Sequence, residues 1–156
     1  MDINTEHTIF QALTARHDIQ RVLCDKLEKL IKNNELQQSK DFYPQLDIEL
    51  KAHATAEERH LYVPVMSHDD GMDLSRHAIA EHHEMDEMMA TLNDGRTSDD
   101  NWLKTCEALI HEVRHHLKEE ENKFFKDAKT LLDKETQQRL GSLYQVEHHE
   151  FEKNHG

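Results

Sequence analysis

Six pairs in this chain set a histidine four residues before a glutamate: His53/Glu57, His77/Glu81, His83/Glu87, His115/Glu119, His116/Glu120 and His148/Glu152. Residues four apart share one face of an α-helix, so an imidazole and a carboxylate at that spacing can bind one cation or a closely spaced pair. With fourteen histidines and eighteen glutamates in 156 residues, chance alone gives about 1.6 such pairs. The excess points to cation chemistry, but most of the six must be surface pairs. The apolar pattern of the helices that carry them has to choose among them.

Those helices are long. Only four glycines and two prolines interrupt the chain, apolar residues recur at three- and four-residue steps, and strand patterns are missing. The spacing predicts helices over about Thr5–Asn33, Tyr43–Val63 with Pro44 in its first turn, Asp73–Asn93, and from an N-cap at Ser98 to about Leu132. A last helix over about Lys134–Glu152 is interrupted in pattern by Gly141. Short links between long helices make neighbours antiparallel. The expected fold is all-α, an up-down-up-down four-helix bundle over about residues 5–132 with a shorter C-terminal fifth helix, the whole of 1–156 forming one domain. A weak repeat runs through it. At an offset of 63, His53, Glu57 and Glu58 meet His116, Glu120 and Glu121, while at an offset of 65 His17 meets His82.

The apolar columns select the inward histidines. On the first helix Phe10, Leu13, Cys24 and Leu27 align with His17; on the second Leu46, Leu50 and Leu61 align with His53 and Glu57. On the fourth, Leu109, Val113 and Phe124 align with His116 and Glu120, leaving His115 and Glu119 on another face. On the third, Ile79, Met85, Met89 and Leu92 align with His82, although a modest rotation would bring in His83 instead. Two carboxylates and four imidazoles in an apolar bundle cost several kcal/mol per ion unless a cation compensates them. A metal site is therefore expected at His17, His53, Glu57, His82, His116 and Glu120. Imidazole and carboxylate without thiolate suit iron, manganese or zinc. His111 and His115 are expected in solvent, as is a histidine-bearing tail of His148, His149 and His155. Glu58 and Glu121 are expected either in solvent or as partners that orient a ligand histidine. Cys24 and Cys106 are expected as small buried hydrophobes.

Nineteen Lys and Arg against thirty-two Asp and Glu leave a formal net charge of −13, which argues against nucleic acid and against an anionic membrane surface. No apolar run approaches the roughly 20 residues of a spanning helix, and the start MDINTEHTIF is not a signal peptide. Two cysteines eighty-two positions apart form no disulfide framework, so a reduced cytoplasm is the expected compartment.

Taken in order, His17, His53-x-x-x-Glu57-Glu58 with Leu61-Tyr62-Val63-Pro64, Glu81-His82-x-x-Met85, and His116-x-x-x-Glu120-Glu121 with Phe124-Phe125 resemble the hemerythrin-like family with its His-His-Glu cation-binding motif. The resemblance covers roughly residues 5 to 130. It implies a non-haem di-iron centre, two iron ions with an oxo or hydroxo bridge. Glu57 and Glu120 would be the bridging carboxylates, with His17, His53, His82 and His116 as terminal ligands. It further implies a small partner, O₂, NO or peroxide, or iron itself, bound or sensed, with reaction toward peroxide or NO left open. Oxygen-carrying members have His-x-x-x-His on the third helix. Here Ala78 and Asp86 flank His82, so Asp86, Glu58 or water would fill that place, and reversible carriage is not expected. Two other classes compete. A ferritin-like di-iron oxidase would use Glu-x-x-His, as in Glu57/His60 and Glu112/His115, and a structural bundle would bind partners without metal.

Overall fold

The computed structural model describes residues 3–155, and among these the regular structure is helical throughout. Seven α-helices follow in order: α1 Ile9–Lys32, α2 Leu36–Glu57, α3 Val63–Met66, α4 Met72–Asn93, α5 Asp99–Glu119, α6 Phe125–Lys129 and α7 Lys134–His155. A π-helical turn, Glu58–Tyr62, joins α2 to α3, and another, Glu120–Phe124, joins α5 to α6. The two interrupted rods, with α1 and α4, make the four-helix bundle. At 22 residues α7 is shorter than α1, with 24, and than either rod, and it lies against α1 and α2.

Local chemistry sets the ends. Thr8 caps α1 by accepting from the Gln11 amide, while the Gln11 side chain accepts from the Thr8 amide in return. Asn34, at φ 58°, turns the chain into α2; a short amide side chain tolerates that left-handed conformation. Ser98 caps α5, and Trp102 donates from its indole to the Leu92 carbonyl, locking the α4–α5 turn.

One boundary departs from expectation. α2 begins at Leu36, so Pro44 stands inside the helix rather than in its first turn. Pro44 is exposed, so the hydrogen bond its missing N–H costs the helix is lost on the outer side. Gly141, by contrast, leaves α7 unbroken. A Cβ there would lie 2.5 Å from the His7 carbonyl oxygen and 2.7 Å from the Thr8 carbonyl carbon. Glycine is what lets α7 seat on the start of α1.

The interior has three layers. One apolar cluster gathers Ile9, Leu13, Leu61, Val65, Phe124, Phe125 and Tyr144. A second, at the opposite end, gathers Leu27, Leu46, Trp102, Leu109 and Val113, with Cys24 and Cys106 buried in it as free thiols. Between them lies a polar layer crossed by all four rods. No helix among the described residues is long and apolar enough to cross a membrane.

Candidate metal centre

The polar layer consists of the six expected residues. His17, His53, Glu57, His82, His116 and Glu120 are each at most 4 % exposed. His83 points to solvent, as do His115 and His111, whereas His82 and His116 are buried in the layer. Glu57 Oε1 lies 3.2 Å from His53 Nε2 and 3.3 Å from His82 Nε2. Glu120 Oε1 lies 3.2 Å from His17 Nε2, and Glu120 Oε2 lies 3.4 Å from His116 Nε2. Two groups of donors result, His17, His53, Glu57 and Glu120 in one and Glu57, His82 and His116 in the other, with Glu57 common to both.

Proximity here is not hydrogen bonding. The Nε2 atoms of His17, His53 and His116, with Glu57 Oε2 and Glu120 Oε1, are buried without a hydrogen-bond partner. Such groups are rare because each forfeits its hydration. A cation with ligands at about 2.1 Å sets neighbouring donors about 3–3.4 Å apart, which is the spacing seen. The residues therefore fit a metal-binding centre.

The outward nitrogens are all engaged. His17 Nδ1 meets Glu121 at 2.7 Å, His82 Nδ1 meets Glu58 at 3.2 Å, His116 Nδ1 meets Glu81 at 2.9 Å, and His53 Nδ1 meets the Tyr144 hydroxyl at 2.7 Å. An ionised carboxylate only accepts, so Nδ1 of His17, His82 and His116 donates outward. That leaves Nε2 as the atom each can offer a metal once its own proton is lost. His53 Nδ1 faces a hydroxyl that can donate or accept. Glu58, which is also open to solvent, and Glu121 are thus placed to orient His82 and His17. The sequence names Glu81 only as a member of the His77/Glu81 pair and of the Glu81-His82 motif, without a role, and gives no sign of Tyr144. The His77/Glu81 pair counted as surface, yet Glu81 is buried against His116. The expectation for His148 also fails. It is 4 % exposed, set between Glu49 and Glu152, because α7 packs down on an Arg16–Glu49 ion pair.

The two halves are related by a pseudo-twofold. Glu121 holds His17 as Glu58 holds His82, and each half lends its carboxylate to a histidine of the other. The π turns fall at nearly equivalent places and have a definite effect. In an α-helix Tyr62 would lie about 140° around from Glu57, but i→i+5 bonding brings it back over that residue. Leu61 and Tyr62 are both fully buried. The Tyr62 hydroxyl lies 2.8 Å from Glu57 Oε1, against Glu120, and 3.3 Å from His82 Nε2. Phe125, five residues beyond Glu120, stacks on the His17 ring instead. Only one half carries a hydroxyl here.

Electrostatically the layer is a lattice of opposed charges. Burial pulls the His17 imidazole down, but Glu120 and Glu121 outweigh it and raise its pKa to about 9. Burial likewise opposes His82, which Glu57 and Glu58 raise to about 9. Burial and the neighbouring Glu120 push Glu57 up, yet His53 and His82 hold it below the usual carboxylate range. For His53 burial prevails and its pKa is lowered. Burial, then Glu120 and Glu57, raise Tyr62 well above the usual phenol value, so it stays neutral and donates. Without metal, protons are the cations of this layer.

The model of the hemerythrin HHE cation binding domain matches residues 8–128, from the Thr8 cap to the last turn of α6. No curated protein and no solved structure gives a match.

Proposed function

The chain belongs to the hemerythrin HHE cation-binding family, and on that footing we propose that it is a non-haem di-iron protein that binds or senses O₂, NO or peroxide. The observation that carries this is the set of buried, unpartnered Nε2 and carboxylate oxygen atoms, arranged as two donor groups that share Glu57. His17, His53, Glu57 and Glu120 would hold one iron, and Glu57, His82 and His116 the other, with Glu120 reaching both. When bound, the irons supply electron exchange with a small oxidising ligand.

The chain's own residues bias what such a centre does. Ala78 is packed in the core, Asp86 is exposed, and Glu58 is committed to His82 Nδ1. Asp86 nonetheless lines the small cavity beside His53, His82 and His116, so it or water would stand nearest the place of an oxygen carrier's second histidine. The Tyr62 hydroxyl is a neutral donor between two carboxylates and close to His82 Nε2. A phenol beside the centre can hold a proton for a reduced ligand, which suits sensing or reaction with peroxide or NO better than reversible carriage. A cavity of about 20 Å³ adjoins His53, His82 and His116 and is walled by Met85, Met89 and Leu117. It has room for about one water-sized molecule.

The competing classes find less support. His60 is paired with Glu147 and His115 is exposed, so neither Glu-x-x-His motif points into the polar layer. A metal-free bundle would leave the orphaned atoms unexplained. The deciding experiment is anaerobic purification with metal quantitation and visible spectra before and after air. About two irons per chain and a spectrum that changes on oxidation are expected. A metal-free, colourless protein that stays unchanged in air would overturn the proposal.

A further inference from the structure

The pseudo-twofold breaks most sharply outside the polar layer. In the first half, α7 lies along α1 and α2, and its Tyr144 reaches in to hold His53. Among the described residues, the equivalent face of the second half, along α4 and α5, carries no such helix. It bears a cleft of about 610 Å³ instead, at whose inner end lie His116 and Glu120. Both residues are more than nine-tenths buried, and each has an atom without a hydrogen-bond partner. The cleft is therefore an approach from solvent to the polar layer.

Its chemistry suits a cation. At the mouth, His77 Nε2 lies 3.0 Å from Glu119 Oε1 and 3.8 Å from Glu81 Oε1. Donor atoms of all three residues fall within 4.8 Å of one another, a separation one metal ion can draw together. The other oxygen of Glu119 faces His115 Nε2 at 3.1 Å. Asp70, Asp73 and Asp127 add negative charge, and Lys123 is the one lysine or arginine among the described lining residues. Two carboxylates converge on the one Nε2 atom, a mixed nitrogen and oxygen donor set that a divalent first-row ion can engage at once. Glu81 also links the mouth to the interior, because the same Oε1 atom accepts from His116 Nδ1. In the first half the residues equivalent to His77, Glu81 and Glu119 are Ala12, Arg16 and Ala56. The repeat therefore does not impose this cluster.

We propose that His77, Glu81 and Glu119 form a second, transient cation site at the cleft mouth, which takes a divalent first-row metal ion such as Fe²⁺ from solvent and passes it to the buried centre. The proposal rests on the polar layer being a metal centre. An acidic cleft with low-dielectric walls concentrates cations and speeds their capture, and a weak site at its mouth shortens the search for the interior. Uptake here is ligand exchange with no change of oxidation state. The ion sheds water for His77, Glu81 and Glu119, then exchanges these for the buried donors.

The test compares the full chain with a His77→Ala/Glu119→Gln double variant. His77 is exposed, Glu119 is half-buried, and neither is one of the six buried residues. Metal-free protein is mixed anaerobically with Fe²⁺, and unbound iron is captured at timed intervals by a chelator. Iron-loaded protein is separately titrated with Mn²⁺, with free Mn²⁺ read by electron paramagnetic resonance. The double variant is expected to load about tenfold more slowly, reach the same final iron content, and lose a weak Mn²⁺ site that the parent retains. Equal loading rates and equal Mn²⁺ binding would overturn the inference while leaving the buried centre intact. A parent chain that takes up no iron would overturn the buried-centre proposal, and this inference with it.

Discussion

Replacing Glu57 by glutamine keeps the shape of the side chain and removes its charge at the one residue common to both donor groups. One carboxylate oxygen becomes an NH₂ that can only donate, where His53 and His82 present Nε2 within 3.3 Å. Losing an orienting partner of a metal ligand typically weakens binding 10–100-fold, and a shared ligand should cost at least the upper end of that range. A hundredfold loss lowers metal-linked stabilisation by about 2.7 kcal/mol at saturating metal. At about 2–4 °C per kcal/mol for a domain of this size, the iron-loaded variant should melt about 5–11 °C below the parent. Iron per chain should fall from about two to below about one. The metal-free form should respond less. His53 and His82 lose a charged partner, but Glu120 loses a like charge beside it in a buried place. The assay is metal analysis together with melting curves of both forms. Undiminished iron, or equal shifts in the loaded and metal-free forms, would refute the sharing of Glu57 between two cations.

His116→Ala should strip most of the metal and His115→Ala almost none, as read by elemental analysis; the reverse would mean that α5 is rotated by about 100°. Tyr144→Phe removes the hydroxyl that holds His53 Nδ1 and should weaken iron binding by about tenfold with helicity unchanged; unaltered affinity in a competition titration would deny α7 that role. The pKa values of His17 and His82 in the metal-free protein are raised to about 9 from 6.5. Their stabilisation is complete below pH 6.5 and lost as pH rises through 9, so the metal-free melting temperature should fall over that window. Metal uptake at pH 7 should release protons into weak buffer, and its absence would count against these two imidazoles as ligands. Gly141→Ala should destabilise by about 1–3 kcal/mol in urea, since the steric clash with the start of α1 outweighs the better helix propensity of alanine; a neutral or stabilising result would show that α7 does not need that close seat.

The buried six were legible because each interrupts an apolar stripe of regular period. His17 between Leu13 and Cys24, or His116 between Val113 and Phe124, is conspicuous as a polar residue where the helix faces its neighbours. The same regularity hid Tyr62. Periodicity assumes 3.6 residues per turn, and the π turn departs from it at the point where the tyrosine comes inward. Glu81, Tyr144 and His148 were hidden for another reason. Each is defined by a partner on a different helix, and no pattern within one helix shows that Tyr144 meets His53 or that His148 meets Glu49. The start of α2 was obscured by its polar opening, Leu36-Gln-Gln-Ser-Lys-Asp, in which Ser39 alone is buried before Tyr43.

The exchange of carboxylates across the pseudo-twofold has a consequence for how the molecule assembles. Glu57 serves His82 and Glu120 serves His17, so neither helical hairpin furnishes a complete donor group from its own residues. Each hairpin alone would offer a cation only part of a donor group, so docking of the two halves and completion of the candidate site are one event. The first half is closed on its outer side by α7, while the second half is open there.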